Sequence, residues 1–253
     1  QSEDGETITY RHPEPIYLPR EPFEQKKDGG NSGCEDPRIS RIGNTLYMCY
    51  TAYDGVHVPR VAVSSISVRD FVRRAWNWSN PVLITPGEVD DKDACLLPEK
   101  VGGNYVILHR VASHICADIS PSLDFQPEQV NKCFEVLEPR RGMWDGTKVG
   151  VGAPPIQTKA GWLLLYHGVS NHSVYRVGAT LLDLEDPTTV IARTADPIFE
   201  PQEEYEMKGE IPRVVFPCGA IVRDDTIFLY YGGADHVVGV AKLSLSKTLK
   251  ALS

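Results

Sequence analysis

The sequence has little of what membrane-spanning, secreted or nucleic-acid-binding chains need. No apolar run approaches the roughly 20 residues with which a helix crosses a bilayer. The N-terminus, QSEDGETITY, lacks the basic-then-apolar order of a signal peptide. The net charge of -8 disfavours nucleic-acid and anionic-membrane partners, because both require a basic surface. We therefore expect no nucleic-acid partner and no membrane association.

Closely spaced cysteine pairs are also missing. The chain has six cysteines and no CxxC motif: Cys34, Cys49, Cys95, Cys116, Cys133 and Cys218. Most lie in apolar, strand-like runs, which indicates buried free thiols in a reducing compartment, although an even count leaves disulfides open. His114 and Cys116 form the only close His/Cys pair. Without the usual ligand spacings we favour a core or loop role over zinc, and expect no metal.

Helical signals are scarce. Short runs rich in Val, Ile, Leu and Tyr alternate with Gly, Pro, Asn and Asp, a pattern typical of many short β-strands. The sequence therefore predicts an all-β chain.

Four kinds of apolar segment recur in the same order, at intervals of roughly sixty residues. One kind is a strand whose last residue is polar or aromatic: Thr51, Arg110, His167 and Tyr231. The segments before these strands begin at Glu35, Lys92, Gly152 and Pro217, and those after them at Arg60, His114, Val177 and Val237. Segments bounded by prolines or acids begin at Pro81, Cys133 and Asp196, and EPIYLP at Glu14 looks like an outer strand of the same kind.

Repeats of four strands are typical of a β-propeller, whose innermost strands line a central channel. We predict one domain over residues 1–253, a five-bladed propeller whose first blade is incomplete at the N-terminus. Its predicted parts are a remnant at 1–30 and blades at about 31–86, 87–140, 141–201 and 202–253. A β-sandwich and a four-bladed ring closed by the N-terminal strand are the alternatives.

One hairpin suggests a functional rim. Asp93 heads an apolar strand, a turn at 102–104 follows, and a second strand ends in His109 and Arg110. In a hairpin the start of the first strand lies beside the end of the second, so Asp93 and Arg110 should meet. A surface ion pair is the simplest interpretation. The equivalent positions of other repeats carry different reactive groups, including Asp36 and His167, which favours a shared site at the channel mouth.

The chemistry of these residue types suggests an anion and a proton donor. Arg110, Lys148 and His167 would bind an oxyanion, with His167 donating once protonated. A carboxylate opposite them, Asp93, suits a general acid. An inverting glycosyl transfer needs such an acid and a nucleophile on the other face of the sugar. With phosphate as the nucleophile, the reaction would be phosphorolysis.

Motifs along nearly the whole chain resemble those of glycoside hydrolase family 130, the β-mannoside phosphorylases. They are EDPRI at Glu35, YTAYDG at Tyr50, KDACLLPEK with ILHR from Lys92, WDGTKVGVGAPPI with GWLLLYHGV from Trp144, YRVGATLLDLEDP at Tyr175, and VVFPCGAI with YYGGAD from Val214. The resemblance implies a five-bladed, metal-free, inverting enzyme without a cofactor. Such an enzyme would cleave β-mannosides with inorganic phosphate as co-substrate and release α-mannose 1-phosphate.

The resemblance also implies roles for single residues. Asp93 would be the general acid, acting through the mannose 3-hydroxyl, and Arg110, Lys148 and His167 would bind phosphate. Substrate contacts would come from Asp36, Arg38, Asp235 and Tyr231. Simpler explanations are a solvated loop lysine at 148, a satisfied strand-end histidine at 167 and a structural turn at 36–38. The product, a sugar phosphate that a cell must retain, favours the cytoplasm, and a homo-oligomer is compatible with the sequence.

Two features leave other functions open. Family phosphorylases carry a second arginine soon after the first, and the segment after Arg110 has none, although Arg140 or Arg141 could substitute. A β-mannoside hydrolase would instead activate water with a carboxylate such as Glu203, Glu204 or Glu210. The inner strands of the first blade are not found, so a non-catalytic sugar-binding propeller is the third candidate. Gly150-x-Gly152 alone is weak support for nucleotide binding, because no helix follows.

Overall fold

The computed structural model describes residues 1–25 and 33–252. Four antiparallel sheets follow one another along the chain in a β-propeller-like arrangement. The all-β prediction is confirmed. The predicted boundary between the 1–30 remnant and the blade from 31 lies outside the described residues.

Each sheet is built from consecutive segments of the chain. The first contains β1 (Gly33–Ile42), β2 (Thr45–Tyr53), β3 (Arg60–Ser67) and β4 (Val82–Leu83). The second contains β5 (Asp91–Leu96), β6 (Tyr105–Val111), β7 (His114–Ser120) and β8 (Phe134–Leu137). The third contains β9 (Lys148–Val151), β10 (Ile156–Gln157), β11 (Trp162–Val169), β12 (Tyr175–Leu182) and β13 (Val190–Arg193). The fourth contains β14 (Val215–Arg223), β15 (Thr226–Gly233) and β16 (Val237–Ser244).

Helices are few and short, as the sequence predicts. They are α1 (Val68–Val72), α2 (Glu204–Met207), α3 (Leu245–Lys250) and a 3-10 turn at Pro22–Glu24. The hydroxyls of Ser67 and Ser244 cap α1 and α3 by accepting a backbone N–H of the first turn. No helix in the described part of the chain is long and apolar enough to span a membrane.

The core lies between neighbouring sheets. Apolar side chains of the first and second sheets form one cluster that includes Val61 and Ile107. A second cluster joins the second and third sheets around Leu108 and Leu164, and a third joins the third and fourth sheets. Burying each such side chain contributes about 1.5–3 kcal/mol. The core thus lies in the interfaces between neighbouring sheets. The polar residues at the ends of the inner strands lie outside these apolar clusters and can line one end of the central channel.

The N-terminal segment connects the first and fourth sheets. Tyr230 of β15 donates a hydrogen bond to the Gly5 carbonyl at 2.8 Å, and Tyr17 packs against Tyr50 of β2. The β-strand predicted at 14–19 is not formed, and these residues lie in bends and irregular backbone. Prolines at 13, 15 and 19 explain the difference, because proline has no N–H to donate to a ladder.

Three other predictions need correction. The outer strand of the third sheet is β13, whereas the predicted segment at 196–201 makes a single bridge through Phe199, because its flanking prolines interrupt pairing. The segment predicted as a first strand from Gly152 instead separates two strands, because β9 ends at Val151 and β10 begins at Ile156. The fourth sheet has three strands within the described residues.

The free-thiol prediction fails for two cysteines. Cys116 and Cys133 are joined by a disulfide, whereas Cys34, Cys49, Cys95 and Cys218 are free. The sequence suggested no pairing because seventeen positions separate the two residues, and only the adjacency of β7 to the start of β8 brings them together.

Candidate active site

The first strand of each sheet is interrupted at an equivalent position. Bulges shift the register between Glu35 and Arg38 in β1, between Lys92 and Cys95 in β5, and between Pro217 and Gly219 in β14. In the third sheet the break separates β9 from β10. A bulge leaves a residue unpaired and redirects its side chain. The residues at the first two bulges are Asp36 and Asp93, whose φ angles are 51° and 54°.

In the second sheet, the second strand of the hairpin supplies the group that pairs with Asp93. Arg110 lies opposite Lys92, and its guanidinium Nε donates a hydrogen bond of 2.6 Å to Asp93 Oδ2. The predicted meeting of Asp93 and Arg110 is therefore confirmed. The two form an ion pair, as the simplest interpretation predicted. However, only 2% of the aspartate side chain and 6% of the arginine side chain are exposed, so this is not a solvated surface pair.

Two more groups converge on Asp93. Arg38 Nη2 lies 3.4 Å from Asp93 Oδ1, and His167 Nε2 lies 3.6 Å from Asp93 Oδ2. Burial alone would raise the pKa of Asp93, but the charges of Arg110 and Arg38 outweigh it and hold the pKa below its ordinary value. Asp93 is therefore ionised at neutral pH in the unliganded protein.

Gly150 explains how His167 and Asp93 come so close. It pairs with His167 across β9 and β11, and a Cβ on Gly150 would lie 2.6 Å from Asp93 Oδ2 and 2.5 Å from His167 Nε2. Gly152 similarly lies against Leu165 and Pro217. Both glycines thus allow close packing within the third sheet and against the neighbouring sheets. This geometry explains the Gly-x-Gly pair without a nucleotide.

Lys148 is held in place by an aromatic neighbour. Its Nζ donates a hydrogen bond of 3.0 Å to the Tyr175 hydroxyl, and the Tyr175 ring stacks on His167. Phe216 packs on the same imidazole, with ring centroids 4.6 Å apart. His167 is thus enclosed by two aromatic rings and one carboxylate, and Lys148 is anchored beside it.

Like Asp93, His167 and Asp36 have pKa values that depart from their ordinary range. Burial lowers the pKa of His167 to about 3, and the nearby Arg110 and Arg38 reinforce this against the attraction of Asp93. His167 is therefore neutral at pH 7 without an anion, rather than a cation. Burial raises the pKa of Asp36 to about 6, with the charge of Arg38 opposing the shift.

These groups line one cavity of about 830 Å³, within the range of small-molecule sites. Of the predicted residues, the cavity surface includes Asp36, Asp93, Arg110, Lys148, His167, Tyr231 and Asp235. Arg38 is brought to Asp93 but lies beneath this surface, fully buried, and donates to the carbonyls of Val151 and Gly152. In this structure its contact is with the acid rather than with the cavity.

The proposed substitutes for a second arginine lie elsewhere. Arg140 donates hydrogen bonds from Nε and Nη2 to the Asp145 carboxylate, and neither Arg140 nor Arg141 is among the residues that line the cavity. Of the acids considered for water activation, Glu210 reaches the cavity. Glu203 caps α2, and Glu204 pairs with Lys208 at 2.9 Å.

Among the cavity residues that sequence reasoning missed are Glu35, Lys92, Tyr175 and Phe216. Lys92 is the most informative, since it adds a cation 3.4 Å from Glu35. Lys92 directly precedes Asp93 in the sequence, but regular strand alternation would place these two side chains on opposite faces of the sheet. The bulge interrupts this alternation, and Lys92 and Asp93 both line the cavity.

The arrangement can hold an anion and transfer a proton. Arg110, Lys148, Lys92 and His167 line the cavity, and Asp93 and Asp36 supply carboxyl groups. No group of metal-ligating side chains in the described residues lies within this cavity.

Comparison with known proteins agrees with this chemistry. The sequence profile of a glycoside hydrolase family described as beta-1,4-mannooligosaccharide phosphorylase matches residues 1–253. A 1,2-beta-oligomannan phosphorylase of Thermoanaerobacter sp. (strain X514) is 43% identical over 217 residues, which cover 84% of this chain and 69% of that protein.

Solved structures show the same similarity. The complex of a beta-1,2-mannobiose phosphorylase from Listeria innocua with beta-1,2-mannobiose superposes with a TM-score of 0.81 at 32% identity, covering 99% of this chain and 67% of that one. A structure described with glycoside hydrolases that target beta-1,2 mannosidic linkages in Candida mannan has a TM-score of 0.76 at 27% identity, covering 92% and 70%. The chain thus spans about two thirds of these relatives.

Proposed function

The chain belongs to glycoside hydrolase family 130, and on that basis we propose that it cleaves β-mannosides with inorganic phosphate and releases α-mannose 1-phosphate. The observation that supports this most directly is the contact between Asp93 and Arg110 inside a cavity that also contains Lys148 and His167. A proton donor and an anion site are then adjacent. No cofactor is required, because phosphate is itself the nucleophile.

The proposed roles follow from position. Arg110, Lys148 and His167 bind phosphate, and Asp93 delivers a proton to the departing oxygen through the mannose 3-hydroxyl. Asp36, Asp235 and Tyr231 contact the sugar, while Arg38 orients Asp93 from below. Lys92 lines the same cavity and is a further cation for phosphate.

The ionisation of Asp93 is consistent with this scheme when the proton balance is included. HPO₄²⁻ carries one proton that the mannose 1-phosphate dianion does not, so a turnover transfers that proton to the released hydroxyl. Phosphate bound to Arg110 would also weaken the hold of this guanidinium on Asp93 and raise the pKa of the acid. We therefore propose that the nucleophile both allows Asp93 to be protonated and supplies the proton.

The test measures product with and without phosphate. Incubation with β-1,2-mannobiose and phosphate should release α-mannose 1-phosphate, detected by ³¹P NMR, and Asp93→Asn should reduce the rate by about 10²–10⁴-fold. Asp124→Asn, which alters an exposed aspartate in the loop between β7 and β8, is the matched control and should retain activity. Equal mannose release without phosphate would reject phosphorolysis. That result would favour the hydrolase alternative, for which Glu210 is the one of the three proposed carboxylates that lines the cavity.

The remaining predictions are proposals of finer detail. The division into blades at 31–86, 87–140, 141–201 and 202–253 is supported by the fact that each described sheet falls within one range. A fifth blade would lie between the fourth and first sheets, where residues 1–25 pack. We also propose a cytoplasmic location, since the product is a sugar phosphate, and a homo-oligomer that size measurement in solution would test.

A further inference from the structure

A cluster of metal-ligating side chains lies outside the cavity, on the outer half of the second sheet. The ligand atoms of His114, Cys116 and Cys133 all lie within 4.8 Å of one another. Cys116 and Cys133 form the disulfide, and His114 Nε2 lies 3.8 Å from Cys133 Sγ. None of the three residues lines the cavity.

The local structure brings these side chains to one face. His114 and Cys116 are two positions apart on β7, so their side chains point the same way. Glu135 of β8 lies directly opposite Cys116. The backbone before β8 is fixed by the buried Asp118, whose carboxylate accepts the N–H groups of Lys132 and Cys133. Cys133 is therefore held against β7.

One ligand separation already fits a zinc ion, and reduction of the disulfide frees the two sulfurs to separate. With Zn–N of about 2.0 Å and Zn–S of about 2.3 Å at a tetrahedral angle, neighbouring N and S ligands lie about 3.5 Å apart. The observed separation of 3.8 Å between His114 and Cys133 is close to that value. His114 and Cys133 are partly exposed, which gives a metal ion access, while Cys116 is buried.

We propose that the reduced chain binds one zinc ion through His114, Cys116 and Cys133, and that the disulfide is the metal-free, oxidised form of the same site. A dithiol reductant cleaves the S–S bond, supplying two electrons and two protons and itself becoming a disulfide. Zinc then displaces the two thiol protons and forms two Zn–S bonds and one Zn–N bond. The Glu135 carboxylate or a water molecule completes the tetrahedron.

The sequence disfavoured a metal site here because no second pair of metal-ligating residues lies near His114 and Cys116 along the chain. The tertiary structure adds Cys133 by pairing β7 with β8. Thiolate and imidazole together favour zinc over magnesium or calcium, which prefer oxygen ligands. In either redox state the cluster ties the two outer strands together, so its expected effect is on the stability of the second sheet rather than on the reaction.

The experiment uses Co²⁺ as a spectroscopic substitute for zinc. The whole chain is reduced with a phosphine under nitrogen and titrated with Co²⁺. We expect a near-ultraviolet thiolate-to-cobalt absorption that saturates at one equivalent, disappears when Zn²⁺ is added, and is absent from the oxidised protein. Zn²⁺ should raise the melting temperature of the reduced chain.

Variants locate the site. Cys133→Ser should abolish the absorption, and His114→Gln should weaken Co²⁺ binding by about tenfold or more. Cys34→Ser, which alters a partly exposed free thiol, is the matched control and should leave the titration unchanged. His114 is partly exposed, so His114→Gln should fold even if Cys133→Ser does not. The proposal is overturned if the reduced chain shows no thiolate absorption, or if both variants bind Co²⁺ like the wild type.

Discussion

Gly150→Ala tests whether the close approach of His167 and Asp93 matters for activity. A Cβ at this position would lie 2.6 Å from Asp93 Oδ2, whereas ordinary contacts begin near 3.4 Å. The carboxylate, the imidazole or both must therefore move by about 1 Å. A misplacement of that size can reduce the rate by about 10²-fold, equivalent to about 2.7 kcal/mol of transition-state stabilisation. Overpacking should also lower the unfolding free energy by about 1–3 kcal/mol.

The assay compares kcat/KM for phosphorolysis of β-1,2-mannobiose with the unfolding free energy from urea denaturation. Gly219→Ala is the matched control, because Gly219 also lies in a first strand of a sheet but a Cβ there meets nothing within 4 Å. We expect the control to keep wild-type kcat/KM. Retention of wild-type kcat/KM by Gly150→Ala as well would refute the geometry on which the proposed site depends.

Three further predictions concern the neighbouring groups. Tyr175→Phe removes the hydroxyl that anchors Lys148, so KM for phosphate should rise several-fold in initial-rate kinetics while kcat changes less; an unchanged KM would contradict the anchoring role. Lys148→Met should raise KM for phosphate further, and a normal phosphate KM in this variant would place the anion elsewhere. The pKa of Asp36 in the folded protein is about 6, against an ordinary value of 3.8, so ionisation of Asp36 destabilises the fold. This destabilisation is absent below about pH 4 and complete above about pH 6. Asp36→Asn should therefore raise the unfolding free energy at pH 8 by up to about 3 kcal/mol and change it little at pH 3.5, and denaturation at both values checks the sign.

The outer parts of the fold show where pattern reasoning is limited. The strand predicted at 14–19 is apolar and flanked by acids, but its prolines prevent pairing, and the same applies at 196–201. Apolar content marks a segment that will be buried. Whether that segment joins a sheet depends on free N–H groups and on a partner edge, which composition does not show.

The sequence predicted the polar residues of the site more fully than the aromatic residues that pack against them. Asp93, Arg110 and His167 were found because they stand at the ends of repeated strands. Lys148 was found in the segment before the first strand of the third repeat, and all four residues line one cavity. Lys92 escaped because a bulge breaks strand alternation. Tyr175 and Phe216 escaped because an aromatic residue near a strand end is more often core, and only the packing around His167 identifies their position.

The sequence by itself determined the all-β class, the repeating hairpins and the meeting of Asp93 with Arg110, because these follow from local periodicity and from the antiparallel register of one hairpin. The tertiary structure decided what is nonlocal: the neutrality of His167 within the cavity, the burial of Arg38 beneath the acid, and the pairing of Cys116 with Cys133. Each depends on the burial or the distance of groups far apart in the chain, and neither quantity is encoded in the spacing of residues along one strand.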